Sequence, residues 1–489
     1  MQPVIGLEIH VQLKTKSKMF CSCSNNAEGA EPNTLVCPVC MGHPGTLPVL
    51  NKQAFEYGLM MALALECEIP TETKFDRKNY FYPDLPKGYQ ISQHKSPIGN
   101  KGKLEFAFNG GHETVNFDHI HLEEDAGKLI HEGGDSLVDY NRSSTPLLEM
   151  VTKPVIQSPE VAKAFLQSLK TLVKTLGISD ADMEKGHLRC DANVSLQEDV
   201  KVLKNPKAEI KNLNSFKAIE KALRYEIKRQ KEIYRLAKIP NTSTMEWDTK
   251  LDITKEMRSK EDSPDYRYFP EPDLPPIVIA QGEDTKEKVF INLEVIKTHM
   301  PELPQDKIKR MKDEYGLKEQ DIVTITSDPK LAEFFEQALS EAYEWGDKDD
   351  KEIPKLVSNW LLSEMLGVLK DKKMSLTDLP MTPENFAELV IMVKNGDVNS
   401  SAGQSILLEM IENGGDPSQI VEEKGLKQVS DEGELETIIS KVIKANGGPV
   451  EDYKNGKEAA LQFLVGKVMK ESKGSANPQK VMEMLKMKL

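Results

Sequence analysis

The chain has 489 residues, 39% hydrophobic and 29% charged, a globular composition with room for roughly two to four domains. No apolar run approaches the roughly 18 residues of a membrane span, and a formal net charge of −14 argues against bulk coating of nucleic acid. Six cysteines, four of them clustered, are too few for a disulfide framework in so long a chain.

The opening "PVIGLEIHVQL" alternates Ile5, Leu7, Ile9, Val11 and Leu13 with Gly6, Glu8, His10 and Gln12. A period of two predicts a strand with its polar members on one face, so Glu8 and His10 point the same way. This start has neither the basic segment nor the small-residue cleavage site of a signal peptide, so a cytoplasmic protein is expected, or a mature organellar one. Next comes "MFCSCSNNAEGAEPNTLVCPVCMG", which holds Cys21, Cys23, Cys37 and Cys40. A short C-x-C followed by a C-x-x-C knuckle reads as a zinc site, the alternative being a reduced, metal-free cluster. If filled by four thiolates, such a site is closed and structural. Cys67 and Cys190 read as ordinary buried thiols.

A helix is predicted at about 52–66, then a loop, "FDRKNYFYPDLPKGYQISQ". It mixes Lys78 and Lys87 with Tyr89 and other aromatics. It suits either phosphates and bases or plain packing. "KLEFAFNGGHETVNFDHIHLEEDAG" reads as a hairpin turning at Asn109-Gly110-Gly111. Helices are expected at 158–176 and 215–237, the latter N-capped by Ser215. "HLRCDANVSLQ" and "KAEIKNLNSF" read as strands. A Pro-rich break, "YFPEPDLPPIVI", ends the mixed region at about residue 290. Beyond it apolar residues recur at helical spacing. The expected organisation is an α+β domain over 1–290 with a mixed or antiparallel sheet cradle, a helical domain over 291–396, and a small all-α tail over 397–489.

Several carboxylates fall inside these strand patterns: Glu123, Glu124, Glu149, Asp191 and Glu209, besides Glu8. Taken singly, each is as well read as a solvent-face acid. As a set they are costly to bury unless they hold a cation, and oxygen ligands with one imidazole suit Mg²⁺. The repetition favours a metal–nucleotide site. Arg258, Lys260 and Arg267, in "MRSKEDSPDYRYFPEPDLPP", suit phosphate. From Lys441 onward ten lysines face five acids, a local excess that suits nucleic acid or a solvated helical surface. There is no P-loop, no G-x-G-x-x-G after a strand, no H-E-x-x-H and no serine-amidase loop.

"VIGLEIHVQL", "FYPDLPKGYQISQ", "RCDANVSL", "EIKNLNS" and "MRSKEDSPDYRYFPEPDLPP" resemble the B subunits of the aspartyl/glutamyl-tRNA amidotransferases. "DYKNGKEAALQFLVGKVMKESKGSANP" resembles that family's C-terminal domain. The resemblance implies a ligase that uses ATP and Mg²⁺ to phosphorylate the side-chain carboxylate of mischarged Glu-tRNA(Gln) or Asp-tRNA(Asn). Ammonia then displaces the phosphate. It implies a separate amidase (glutaminase) subunit that makes ammonia from glutamine, and a small third subunit that joins the two. A mischarging aminoacyl-tRNA synthetase is a further expected partner, and a membrane is not.

By the same resemblance Glu8, His10, Glu124 and Glu149 are expected to be catalytic. Glu8, His10, Glu123, Glu124, Glu149, Asp191 and Glu209 would line the Mg²⁺ cradle. Lys78, Lys87, Tyr89, Arg258, Lys260 and Arg267 would meet ATP or the tRNA 3′ end. Lys454, Lys457, Lys467, Lys470 and Lys473 would grip the tRNA body. One departure stands out. In "NTSTMEWD", Met245 occupies the place where the family carries arginine, while Thr244, Trp247 and Asp248 still fit.

Overall fold

The computed structural model describes residues 1–259, 265–282, 291–426, 432–472, 476 and 478–489. Lys260 and Lys473 lie outside them. The chain divides into two compact units, Met1–Lys307 and Ile308–Leu489.

The first unit is α+β. In chain order it runs β1 (Gln2–Gln12), α1 (Lys52–Ala64), β2 (Glu72–Thr73), β3 (Asp76–Asn79), β4 (Tyr89–Ser92), β5 (Gly99–Asn100), β6 (Lys103–Phe108) and β7 (Gly111–Glu124). It continues through β8 (Lys128–Glu132), β9 (Asp135–Asp139), β10 (Pro146–Thr152), α2 (Pro159–Thr175), β11 (Leu188–Gln197), β12 (Ala208–Lys211) and α3 (Phe216–Arg235). β13 (Ser243–Asp248), β14 (Ile253–Ser259), β15 (Phe269–Pro270), β16 (Ile277–Ala280), β17 (Ile291–Asn292) and α4 (Leu293–Thr298) complete it.

The main sheet has the order β14-β13-β12-β11-β1-β10-β7-β4-β3-β15, with β5 and β6 also on β7. β1 is central because both its edges pair over most of its length. Glu8 faces Val151 of β10 on one side and Asp191 of β11 on the other. The pairing is antiparallel except between β12 and β13, so the sheet is mixed.

The pleat sorts the side chains. Ile5, Leu7, Ile9 and Val11 are fully buried with the apolar residues of α1, α2 and α3. This one-sided cover leaves the other face for polar groups. The expected hairpin turns at Asn109 and Gly110, both at positive φ (51° and 80°), as a tight two-residue turn requires. Ser215 caps α3 by accepting from the Ala218 N–H at 3.1 Å. Inside the fold, Glu226 of α3 accepts from Thr254 Oγ1 of β14 at 2.9 Å and so ties that helix to the sheet edge.

The second unit is helical. It comprises most of α5 (Pro304–Tyr315), then α6 (Glu319–Thr326), α7 (Pro329–Trp345), α8 (Ile353–Asn359), a π turn (Trp360–Met365), α9 (Leu366–Lys372), α10 (Pro383–Asn395), α11 (Ser400–Asn413) and α12 (Pro417–Lys424). These share one core, from Met311 to Val421. α13 (Glu432–Ala445), α14 (Gly447–Lys454), α15 (Glu458–Glu471) and α16 (Pro478–Lys488) build another around Leu435, Leu464 and Leu485. No helix among the described residues is long and apolar enough to cross a membrane.

Candidate functional site

On the face of the sheet away from the helices, three neighbouring strands bring acids and imidazoles together. His10 of β1 faces Glu149 of β10, and Glu149 faces His121 of β7. His10 Nε2 lies 3.3 Å from Glu149, 3.6 Å from Glu123 and 3.9 Å from Glu8. His121 Nε2 lies 3.4 Å from Glu149 and 3.8 Å from Glu123. Glu8, His10 and Glu149 offer three ligand atoms close enough for one ion, as do His121, Glu123 and Glu149. Glu149 belongs to both sets.

The electrostatics follow from crowding. Burial acts to lower the His10 imidazole, but Glu149, Glu123 and Glu8 outweigh it and raise the group to about 9. His121 goes the same way, to about 10, against burial and chiefly through Glu149. Burial acts to raise Glu149, yet His121 and His10 hold it well below the usual carboxylate range. Glu8 is raised, first by burial and then by Glu149. Without a cation, protonated imidazoles balance the carboxylates. A divalent ion would take over that role and release the protons. The carboxylate-rich donor set suits a hard cation. The Nδ1 atom of His121 is buried without a hydrogen-bond partner among the described residues.

This cluster continues sideways on the same face. Asp191 stands across from Glu8 and pairs with Lys211 Nζ at 2.6 Å. Lys211 also lies 3.3 Å from Glu209, which accepts from Thr244 Oγ1 at 3.2 Å. Asp191 and Glu209 are thus held by a lysine rather than gathered around the imidazoles. On the other side Lys78 sits over the Tyr266 ring, 4.9 Å from its centroid. Burial acts to lower its ammonium, but Glu123, Tyr268 and Glu149 raise it.

Glu124 is not part of this group. It follows Glu123 on a strand, so the pleat sends it to the opposite face. There it is ion-paired with Lys87, both almost fully buried, and accepts from the Ile91 N–H at 2.9 Å. Tyr89 lies on that side too, under the Arg77 guanidinium at 4.3 Å. Arg77 forks onto Glu271 at 2.7 and 2.8 Å and reaches Asp273 at 3.2 Å, so those two acids hold a guanidinium. Arg267 is exposed, at φ 45°. Arg258 is placed by its backbone alone, opposite Thr244. Met245 turns into the core, 4% exposed, so the departure from the family pattern falls behind the polar face.

Two residues at the heart of this face were not singled out by sequence, His121 and Lys211. Each lies two positions from a recognised acid, Glu123 and Glu209, and a period of two would have found both.

The cysteine cluster forms just after β1. The sulfurs of Cys21, Cys23, Cys37 and Cys40 all lie within 4.8 Å of one another. Cys37 and Cys40 are 3.8 Å apart, which is about the separation of thiolates around one tetrahedral zinc-sized ion. The Cys37 N–H donates to Cys40 Sγ at 3.2 Å. The Cys21 thiol does most to hold Cys40 down to about 5, and Lys18 adds to it. Burial pushes Cys23 up to about 11. Lys18 is itself fully buried, with Nζ 3.9 Å from Cys40 Sγ. A lysine buried beside four sulfurs fits a cluster that is anionic when it holds a metal. Gly42, at φ 67°, completes the knuckle, and a Cβ there would collide with the Lys87 side chain.

In the tail, Lys457 pairs with Asp452 at 2.8 Å. Lys467 covers the exposed Phe463 ring at 5.2 Å, and Lys454 and Lys470 are exposed. Phe463, Lys467 and Lys470 share one helical ridge of α15.

A mixed sheet with an ion-ready polar face, followed by helical domains, matches known proteins along its whole length. Residues 3–283 match the family model described as the GatB/GatE catalytic domain, and residues 333–489 the one described as the GatB domain. The chain is 47% identical to the B subunit of the aspartyl/glutamyl-tRNA(Asn/Gln) amidotransferase of Carboxydothermus hydrogenoformans, covering 100% of this chain and 98% of that one. It is 48% identical to the same protein of Geobacillus thermodenitrificans, covering 99% and 98%. With that of Thermotoga maritima the identity is 45%, covering 98% and 97%. The chain belongs to this family of amidotransferase B subunits, and so to the glutamine-dependent ligases that form carbon–nitrogen bonds.

The buried Glu124–Lys87 pair should be intolerant of single changes. Lys87→Met leaves an uncompensated buried charge and should cost about 3–5 kcal/mol in urea unfolding, whereas Lys87→Met with Glu124→Leu should recover most of it. Equal losses in the single and double variants would refute a paired role.

The imidazoles make stability depend on pH. Between the ordinary histidine value of 6.5 and about 9 for His10, or about 10 for His121, the folded chain keeps protons the unfolded chain has lost. Their contribution is complete below pH 6.5 and is lost as pH rises through 9 to 10. Urea midpoints of the metal-free protein should fall across that window, and fall less in His10→Asn/His121→Asn. Parallel curves for both proteins would contradict this.

Proposed function

We propose that this chain is the activating subunit of a tRNA-dependent amidotransferase. It phosphorylates the side-chain carboxylate of Glu-tRNA(Gln) or Asp-tRNA(Asn) with ATP and passes the acyl phosphate to ammonia. The convergence of Glu8, His10, His121, Glu123 and Glu149 on one open sheet face carries this reading, together with membership of the family. A carboxylate is a poor acylating agent and its acyl phosphate a good one. Making it demands neutralisation of charge on the transferred phosphoryl group, which a bound Mg²⁺ supplies. His10, His121, Glu123 and Glu149 are the residues that would hold it.

The chain's own groups do the rest. Lys78, kept protonated beside Glu123 and Glu149, offers a cation to an incoming phosphate or carboxylate. The substrate oxygen attacks the terminal phosphorus of ATP, and ADP leaves. Ammonia then attacks the acyl carbon. The C–N bond forms, the C–O bond to phosphate breaks, and a proton must leave nitrogen. Glu8 lies at the open rim with a raised pKa, so its carboxylate is suited to accept that proton.

Ammonia would come from glutamine on the separate amidase, with the small third protein of the complex as the joining piece. The tail would bind the tRNA body through Lys454, Lys457, Lys467 and Lys470, contacts that add affinity and salt dependence rather than sequence reading. The first unit would be catalytic, and the setting the cytoplasm. The four cysteines would hold zinc, closed at four thiolates and therefore structural.

Glu149→Gln should reduce ATP-dependent formation of Gln-tRNA(Gln), assayed in the complete complex with glutamine, by about 100-fold or more, leaving tRNA binding intact. A variant that amidates normally would overturn the assignment. So would wild-type phosphate release that is indifferent to mischarged tRNA. For the cysteine clip, Cys40→Ser should lower the melting temperature by several degrees while the folded fraction keeps most of its turnover. Unchanged melting with abolished turnover would make the cluster catalytic instead.

A further inference from the structure

A cavity of about 300 Å³ opens on the polar face next to Glu8. Its floor is Gly6, which has no side chain to fill it. Gly6 shares the face of Glu8 and His10 and stands across from Asn193. Val151 and Pro154 form one wall and Asn193 and Ser195 the other, with Leu203 and Lys207 at the rim.

The rim is prebuilt. Gln197, 1% exposed, accepts from the backbone N–H groups of Lys204 and Asn205 at 3.1 Å each. Its amide donates to Ser195 Oγ at 2.9 Å and to the Asn205 carbonyl at 3.3 Å. The β11–β12 loop is thereby pinned over the cavity, with Leu203 held 54% exposed.

The cavity also lacks something. Asn193 Oδ1 is buried with no hydrogen-bond partner among the described residues. Such an atom normally finds one, and a ligand donor would supply it. Ser195 Oγ already accepts from Gln197, which leaves its O–H to donate. Lys207 is exposed and in no ion pair among the described residues. An apolar slot with an unmet amide at its side and a free ammonium at its mouth suits a flat heterocycle that carries an anionic tail. Asparagine pairs well with the amino and ring-nitrogen edge of adenine.

We propose that this cavity binds the nucleoside of the nucleoside triphosphate, with the adenine edge on Asn193 and Lys207 toward the phosphates. This rests on the ATP-dependent reading above. Gly6 and His10 are four residues apart on β1, about 13 Å, a gap that the ribose and triphosphate bridge.

The test uses the complete complex. Gly6→Val fills the floor. A Cβ there meets Pro154 only at 3.6 Å, ordinary contact, and valine suits a strand. KM for ATP should rise about tenfold or more, the loss expected when a binding pocket is filled or a contact removed. KM for mischarged tRNA and the melting temperature should stay put. Asn193→Ala removes no core volume and should reduce the preference for ATP over GTP. An unchanged KM for ATP in both variants overturns the proposal, and so does a rise confined to KM for tRNA, which would give the cavity to the aminoacyl end. Wild-type complex that makes product without any nucleotide would refute the ATP reading itself, a distinct result.

Discussion

The organising constraint is charge compensation on one face of a sheet. Strands of this sheet stand under 5 Å apart, so acids at matching register are forced together. Glu8, Glu149 and Glu123 come from β1, β10 and β7, and none can move away without breaking the ladder. Three carboxylates above an apolar floor repel strongly unless a positive group sits among them. His10 and His121 are those groups, and their raised affinities for protons measure the field they feel. The same need explains the flanks: Lys211 between Asp191 and Glu209, and Lys78 beside Glu123. A face so arranged is ready to exchange protons for a cation, then to lend that cation's charge to phosphate.

The other face has the opposite logic. There the helices seal the sheet, so an acid must be fully paired or removed. Glu124 meets this through Lys87, and Lys87 in turn packs against Gly42 of the cysteine clip. The clip therefore sits behind the polar face, touching it only through the pair beneath. Its sulfurs form a closed set of four, which fits a brace rather than a reactive centre.

Much of this was legible in the residues themselves. The period of β1, the hairpin at Asn109-Gly110, the Ser215 cap and the four-cysteine spacing all depend on local geometry, and the structure agrees with each. The acids of the polar face were legible as a set because carboxylates in strand patterns are expensive to bury. Glu124 was the exception. Ile120 and Leu122 alternate with His121 and Glu123 on β7, so parity alone assigns Glu124 to the apolar side. Two adjacent acids in "HLEED" hide that alternation.

Local pattern determined which residues of a given strand share a face, where turns and caps fall, and that four thiols could meet. Tertiary structure alone decided which strands are neighbours and at what register. It placed β10 between β1 and β7, so that Glu149 serves two imidazoles, and set Asp191 against Lys211 instead. It also turned Met245 into the core and hollowed a cavity over Gly6. The physical reason is that a period of two is a property of one strand, whereas a site is made across strands. Pairing between segments more than a hundred residues apart is chosen by how the whole apolar face packs beneath them.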